Sequence, residues 1–138
     1  KGLINIKNDK QKKLYLGNLY AKRDWGHAKD YVQAMWLMLQ QKKPKDFVIA
    51  TGIQYSVKDF INLSAKKLKM SLTWKGQKLK EKAYYLNKPI IEIDPKYFRP
   101  SEVDSLMGNA KKAKKELGWK PEYTINTLID EMIAASDE

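Results

Sequence analysis

Of the 27 basic side chains in this 138-residue sequence only two, Arg23 and Arg99, are arginines. A planar guanidinium grips phosphate or carboxylate through two parallel hydrogen bonds, where an ammonium offers a point charge. Arg23 precedes Asp24-Trp25-Gly26, and Arg99 lies between Tyr97-Phe98 and Pro100. Anion binding is one chemistry that both positions allow. Local pairing is the other, with Arg23 on Asp24 or Trp25 and Arg99 on Glu102 or Asp104, and the residues alone leave both open. The single histidine, His27, has no second metal ligand at a useful spacing and no Ser or Lys placed to use it as a base, so structural hydrogen bonding is its expected role. Glu102 and Asp104 follow a proline and precede an apolar stretch, a setting that suits capping or ribose-hydroxyl binding better than acid-base work.

Several chemistries are excluded. The sequence contains no cysteine, which removes disulfides, thiol nucleophiles, thiolate zinc sites and iron-sulfur clusters. No GxGxxG follows a strand and no Gly-rich loop with Lys cradles a phosphate. No apolar run reaches the length of about 20 residues that crosses a bilayer, and the first thirteen residues are polar and basic without a signal-like stretch. A soluble, cytoplasmic protein without membrane association is expected. The net charge of +11 comes from scattered lysines, among them Lys42, Lys43 and Lys45, Lys66, Lys67 and Lys69, and Lys111, Lys112, Lys114 and Lys115. That scatter resembles a solvated surface more than a nucleic-acid groove, because no recognition module accompanies it.

The elements that must position these residues alternate, which predicts an α/β architecture in one domain, residues 1–138. A short strand is expected over Leu14 to Asn18. A helix opened by Asp30, with Gln33 as an approximate capping box, would bury Val32, Met35, Trp36 and Leu39 and stop near Pro44. Met35, Trp36 and Met38 read as core. Phe47 to Ala50 reads as a buried strand closed by Thr51-Gly52. Ser56 caps a second helix with Val57, Phe60, Ile61, Ser64 and Leu68 at helical period. Leu72 to Trp74 is a short strand before a lysine-rich loop, and Ile90 to Ile93 another. The two prolines between Asp94 and Pro100 predict a shaped loop. Asn109 caps a short helix to Leu117 with Gly118 as its αL residue. Thr124 starts the last helix, with Ile125, Leu128, Ile129 and Met132 on its apolar face.

The run from Leu16 through Gly17, Asn18, Leu19, Tyr20, Ala21, Lys22, Arg23, Asp24, Trp25, Gly26, His27 and on to Val32, followed by Ala34-Met35-Trp36, resembles the signature of GDP-mannose 4,6-dehydratases. Phe47 to Gly52, Tyr97 to Asp104 and Leu117-Gly118-Trp119-Lys120-Pro121 continue the likeness in family order, from about Leu14 to Ala134. The family belongs to the extended short-chain dehydrogenase/reductases. The resemblance implies that this chain is the small mixed α/β substrate-binding domain, lacking the N-terminal Rossmann domain that binds NADP. It implies conversion of GDP-D-mannose to GDP-4-keto-6-deoxy-D-mannose and water by the intact enzyme, on the way to GDP-fucose or GDP-rhamnose. The catalytic Thr or Ser, Glu, Tyr and Lys would lie upstream of Lys1, so no catalytic, cofactor-binding or metal residue is assigned here, and the chain alone is expected to bind no NADP and to be inactive.

Carried over by position, Arg23 and Arg99 match the arginines expected at the diphosphate and Glu102 the acid expected at the guanosine ribose. Tyr15, Leu16, Gly17 and Asn18 would lie beside the base. GDP-mannose, the missing Rossmann domain and the homo-oligomer of the intact enzyme, a dimer or tetramer, are the implied partners. Tyr20 departs from the family's usual Asp, and Ile53 and Tyr55 from its usual Glu and His, which puts turn geometry and subunit contacts in question; Asn109-Ala110 replaces the usual Asp-Pro, where Asn109 keeps the cap. Two other readings remain: another extended dehydrogenase, an epimerase or reductase on a different nucleotide sugar, and a basic module for nucleic acid or acidic partners.

Overall fold

Among the described residues of the computed structural model, 1–99, 101 and 103–136, five α-helices and seven strands follow in order: α1 (Gly2–Lys7), β1 (Leu14–Leu16), β2 (Lys22–Arg23), α2 (Ala28–Leu39), β3 (Tyr55–Ser56), α3 (Val57–Lys67), β4 (Thr73–Lys75), β5 (Lys82–Tyr85), β6 (Lys88–Ile93), β7 (Ser105–Leu106), α4 (Lys111–Leu117) and α5 (Ile125–Ala134). Single 3-10 turns span Lys78–Lys80 and Pro95–Tyr97. The expected mixed α/β class is what forms.

Local chemistry sets several boundaries as expected. Ser56 and Asp59 close a reciprocal capping box at the start of α3, and Thr124 with Thr127 does the same for α5. Gly118 ends α4 at φ 67, the left-handed region where a Cβ is costly. Asn109 still accepts a hydrogen bond from the Lys111 N–H at 3.1 Å, although Ala110 occupies the cap position itself.

One sheet runs β1-β6-β5-β4. β1 lies parallel to β6, with Leu14 opposite Ile91 and Leu16 opposite Ile93. The remaining pairs are antiparallel. Leu86 and Asn87, both at positive φ, turn the β5–β6 hairpin. A second, minimal sheet runs β3-β2-β7, with β2 central. α3 packs Ile61 and Ala65, and Leu68 at its C-terminal cap, into a cluster with Ala83, Ile90 and Ile91 of the large sheet, and α1 adds Leu3, Ile4 and Ile6. A smaller cluster joins Ala34 of α2, Ala113 of α4 and Trp119, with Tyr31, Leu37, Met38, Phe47 and Ile49 around it.

Several expectations are overturned. α2 begins at Ala28 under a His27 cap, because the Asp30 carboxylate is engaged elsewhere: it accepts from the Glu122 and Tyr123 N–H groups, each at 3.1 Å. The helix ends at Leu39, short of Pro44. Its stripe of Val32, Met35, Trp36 and Leu39 is 60–80% exposed, and the opposite face, with Tyr31 and Ala34, is the one that packs. Phe47 to Ala50 forms no strand among the described residues, and Gly108 lies against Val48 and Ala50. The polar start contains α1, whose three apolar side chains are buried, and β5 arises inside the lysine-rich loop.

Candidate functional site

Gly17 brings two distant segments into contact at the end of β1. A Cβ at this position would fall against the backbone carbonyl of Tyr97, so only glycine lets the 3-10 turn at Pro95–Tyr97 pass so near. The Asp94 N–H donates to the Leu16 carbonyl at 2.9 Å and fixes that approach. Asp94 also accepts from the Lys96 N–H at 2.9 Å and shapes the turn. The strand alternates, so Leu16 packs against the large cluster while Tyr15 is half-exposed. Leu16 thus has its side chain in the core and its carbonyl occupied. Asn18 accepts from the Tyr20 N–H at 2.9 Å, a tight turn that leads the chain away from the strand.

Next to Gly17 along the chain a slot of about 340 Å³ opens, walled by Asn18, Leu19 and Tyr20, by Lys78 and Leu79, and by Ile93 and Phe98. Its walls are apolar with a few polar groups at the edge, the composition that holds a small organic ring. Glu81, two residues beyond Leu79 in the chain, is 3% exposed. Its carboxylate accepts from the Tyr20 hydroxyl and from Lys58 Nζ at 2.5 Å. Burial pushes the Glu81 carboxyl up, but the hydrogen bonds from Lys58 and Tyr20 and the charge of Lys58 outweigh it and hold it below its ordinary range. The same hydrogen bond, aided by burial, raises the Tyr20 phenol.

Arg23 sits on β2 beside β7, opposite Leu106. Its Nη1 donates to the Val103 carbonyl at 2.7 Å and the Lys22 carbonyl at 2.8 Å. Lys22 N–H donates to the Asp104 carbonyl at 2.8 Å. The segment bearing Arg99 is therefore tied at both ends, to β1 at Tyr97 and to β2 at Val103 and Asp104, and Arg99 itself is exposed. Glu102 lies outside the described residues. The structure thus brings Gly17 and Asn18 to Tyr97-Phe98, and Arg23 to the far end of the Arg99 loop.

The alternative roles for neighbouring groups are settled by their partners. Asp24 accepts from Thr51 N–H at 2.9 Å, Thr51 Oγ1 at 2.6 Å and Gly52 N–H at 2.8 Å, so it anchors the Thr51-Gly52 turn. His27 is buried, accepts from Lys29 N–H at 3.1 Å through Nδ1, faces Glu131 at 3.1 Å through Nε2, and stacks on Tyr123 at 4.0 Å. The expected structural role for His27 holds. The sequence offers no Tyr-x-x-x-Lys pair of the short-chain dehydrogenase sort; the one such spacing is Tyr84 to Lys88. It spans the β5–β6 hairpin, where Tyr84 faces Pro89 and Tyr85 faces Lys88 across the turn, and is no helical pair. Sequence reading missed Glu81, although it is the one acid between Lys75 and Lys88. Among the described residues no group of three or more His, Cys, Asp or Glu stands together to hold a metal ion, and no described helix is long and apolar enough to cross a membrane.

Solved structures share this architecture. A Pseudomonas aeruginosa protein described as RMD, complexed with NADPH, superposes with a TM-score of 0.73 at 20% identity, over 94% of this chain and 38% of that one. A dTDP-glucose 4,6-dehydratase from Bacillus anthracis, in complex with NAD, does so with a TM-score of 0.72 at 20% identity, over 99% and 37%. The fold is that of a part of the extended short-chain dehydrogenase/reductase enzymes. The sequence profile described as GDP-mannose 4,6 dehydratase matches residues 1–132, and the chain belongs to that dehydratase family. A GDP-mannose 4,6-dehydratase of Vibrio cholerae is 50% identical over 96% of this chain and 39% of its own length. One from Dictyostelium discoideum is 53% identical over 91% and 36%, and the Homo sapiens one is 49% identical over 89% and 34%. The chain spans about two fifths of the length of the curated relatives it matches.

Proposed function

We propose that this chain is the substrate-side part of a GDP-mannose 4,6-dehydratase, the enzyme that converts GDP-D-mannose to GDP-4-keto-6-deoxy-D-mannose and water. The observation that carries the reading is the convergence at the end of β1: Gly17 admits the Tyr97-Phe98 segment, the slot opens beside it, and the loop bearing Arg99 runs from there to Arg23. In this reading the guanine ring enters the slot past Tyr15, Gly17 and Asn18, with Leu16 holding the strand in the core. Arg23 and Arg99 grip the diphosphate and Glu102 takes the ribose hydroxyls. A diphosphate drawn out of water needs such forked, charge-assisted donors to offset its lost hydration. What these residues contribute is binding and orientation of the nucleotide end, which leaves the hexose directed outward.

A pyridine nucleotide, NADP in this reading, supplies hydride abstraction and return in the intact enzyme. The longer helices here do not fit its pyrophosphate, because their N-termini are already closed by His27, by Ser56 with Asp59, and by Thr124 with Thr127. We place the cofactor and the catalytic groups on the remaining three fifths of the family's length, so that this chain alone is inactive. That remainder, an N-terminal Rossmann domain, would cover the exposed α2 stripe and the nearby Val48, which is half-exposed. The intact enzyme is then a cytoplasmic homo-oligomer.

Calorimetric titration tests this, with GDP-mannose and UDP-glucose as separate ligands, on the chain alone and with the remainder of the fold supplied in trans from a curated relative. Preference for GDP-mannose that Arg99→Ala abolishes is the expected result. Equal affinity for the two, or none in either format, would overturn the assignment.

A further inference from the structure

The Tyr20 hydroxyl reaches a carboxylate, that of Glu81, that is almost wholly buried. Glu81 closes the loop of Gly76 to Glu81 that carries Leu79, one wall of the slot. That loop is built tightly. Gly76 has φ 89, and a Cβ there would fall against the Lys80 carbonyl; Lys78 has φ 50, and the Glu81 N–H donates back to the Lys78 carbonyl at 3.1 Å. The opposite wall is held by α3, whose Lys58 N–H donates to the Leu19 carbonyl at 2.9 Å. Lys58 Nζ then crosses to Glu81, 4.7 Å above the Trp74 ring and 5.7 Å from that of Tyr20. One carboxylate therefore joins both walls, through Oε2 to Tyr20 and through Oε1 to Lys58.

A buried ion pair is a poor source of net stability, since desolvation cancels most of its attraction, yet removing one partner is severe. What such a pair does well is fix one arrangement among several of similar packing, because every displaced geometry leaves a buried charge unmet. Here the arrangement fixed is the distance between Leu79 and the wall of Asn18 to Tyr20. An apolar slot grips a flat ring through contacts that decay steeply with separation, so its width decides which ring is held.

We propose that Tyr20, Glu81 and Lys58 form a latch that sets the width of the slot, making Tyr20 and Glu81 specificity-determining positioning residues for the heteroaromatic ring of a nucleotide ligand. The inference rests on the nucleotide reading above and adds a device to it. Tyr20→Phe removes the hydroxyl and leaves the ring, and Glu81→Gln keeps the shape while removing the charge.

The test measures affinity for GDP and for inorganic pyrophosphate in the same format as the titration above, together with amide exchange at Leu79 and Lys80. The latch predicts that Tyr20→Phe weakens GDP at least fivefold, leaves pyrophosphate within twofold, and speeds exchange at both amides, with Glu81→Gln following in the same direction. Parallel loss of GDP and pyrophosphate would mean a general structural role and overturn the proposal. So would unchanged exchange in Tyr20→Phe, which removes the latch while leaving the nucleotide reading intact. A wild-type chain that fails to bind GDP overturns that reading, and the specificity role with it, even where exchange responds.

Discussion

Replacing Asp30 isolates one buried carboxylate that ties α2 to the segment before α5. It is 2% exposed and lies in the first turn of α2, where each oxygen accepts one backbone N–H from the segment before α5. Hydrogen bonds to a charged group contribute about 1.5–3 kcal/mol each, and a carboxylate near a helix N-terminus adds roughly 0.3–1 kcal/mol. Truncation also returns the desolvation cost of burying the charge, so Asp30→Ala is expected to lose about 2–4 kcal/mol. Unfolding entropy of about 2.1 cal/mol/K per residue converts that to a fall in Tm of roughly 7–14 °C for a chain of this length. Asp30→Asn keeps one acceptor and turns an NH2 toward the other N–H, so roughly half the loss is expected. Thermal and urea unfolding followed by far-UV circular dichroism measure both, with exposed Asp130, paired to Lys67 at 2.6 Å, changed to Ala as the control. An Asp30→Ala chain within about 0.5 kcal/mol of the parent, the range of an ordinary surface change, would refute the argument.

Gly17→Ala forces a methyl onto the Tyr97 carbonyl, and the overpacking cost of about 1–3 kcal/mol should appear in the Tm, with GDP affinity falling as the Pro95–Tyr97 turn moves off β1; an unaltered Tm would show that the approach is slack. Trp36→Glu on the exposed α2 stripe should reduce self-association in light scattering at high concentration, and a parent chain that is already a clean monomer there defeats the prediction. Acid should loosen the Glu81 cluster. Its folded carboxyl lies below the ordinary 4.5, so its contribution is complete above that value and fades as pH falls through the depressed one. The Tyr20 phenol is raised from 10.0, so its contribution holds below that value and fades as pH climbs through the raised one. Comparing urea midpoints of the parent and Glu81→Gln across acid pH should reveal a shallower dependence in the variant.

Features decided within a few residues were legible in the sequence. Ser56, Thr124 and Gly118 announce helix ends because capping is local. The α2 stripe misled, since an apolar face predicts burial without naming what buries it. Phe47 to Ala50 has strand composition but forms no strand among the described residues, since composition does not name a pairing partner. The two-residue strands at Lys22, Tyr55 and Ser105 are set by contacts between segments far apart in the chain and have no periodicity to read. Of the site, the arginines stood out by composition and Gly17 to Asn18 by resemblance, and the structure adds how Tyr97-Phe98 meets them. Tyr20 was visible as a departure, but its partner was hidden among lysines.

The parallel pairing of β1 with β6 also orders events in time. The β4-β5-β6 meander closes through short turns, whereas Leu14 must find Ile91 across most of the chain. Closing so long a loop is entropically slow until the surface that receives it exists. β1 therefore docks after the meander and α3 have formed their cluster, and Asn18 is delivered to Phe98 last of all. Pulse-labelled amide exchange during refolding should protect Ala83 before Tyr15, and simultaneous protection would contradict this order. Maturation of the slot would then coincide with the end of folding, so that a chain short of that last step has no formed slot.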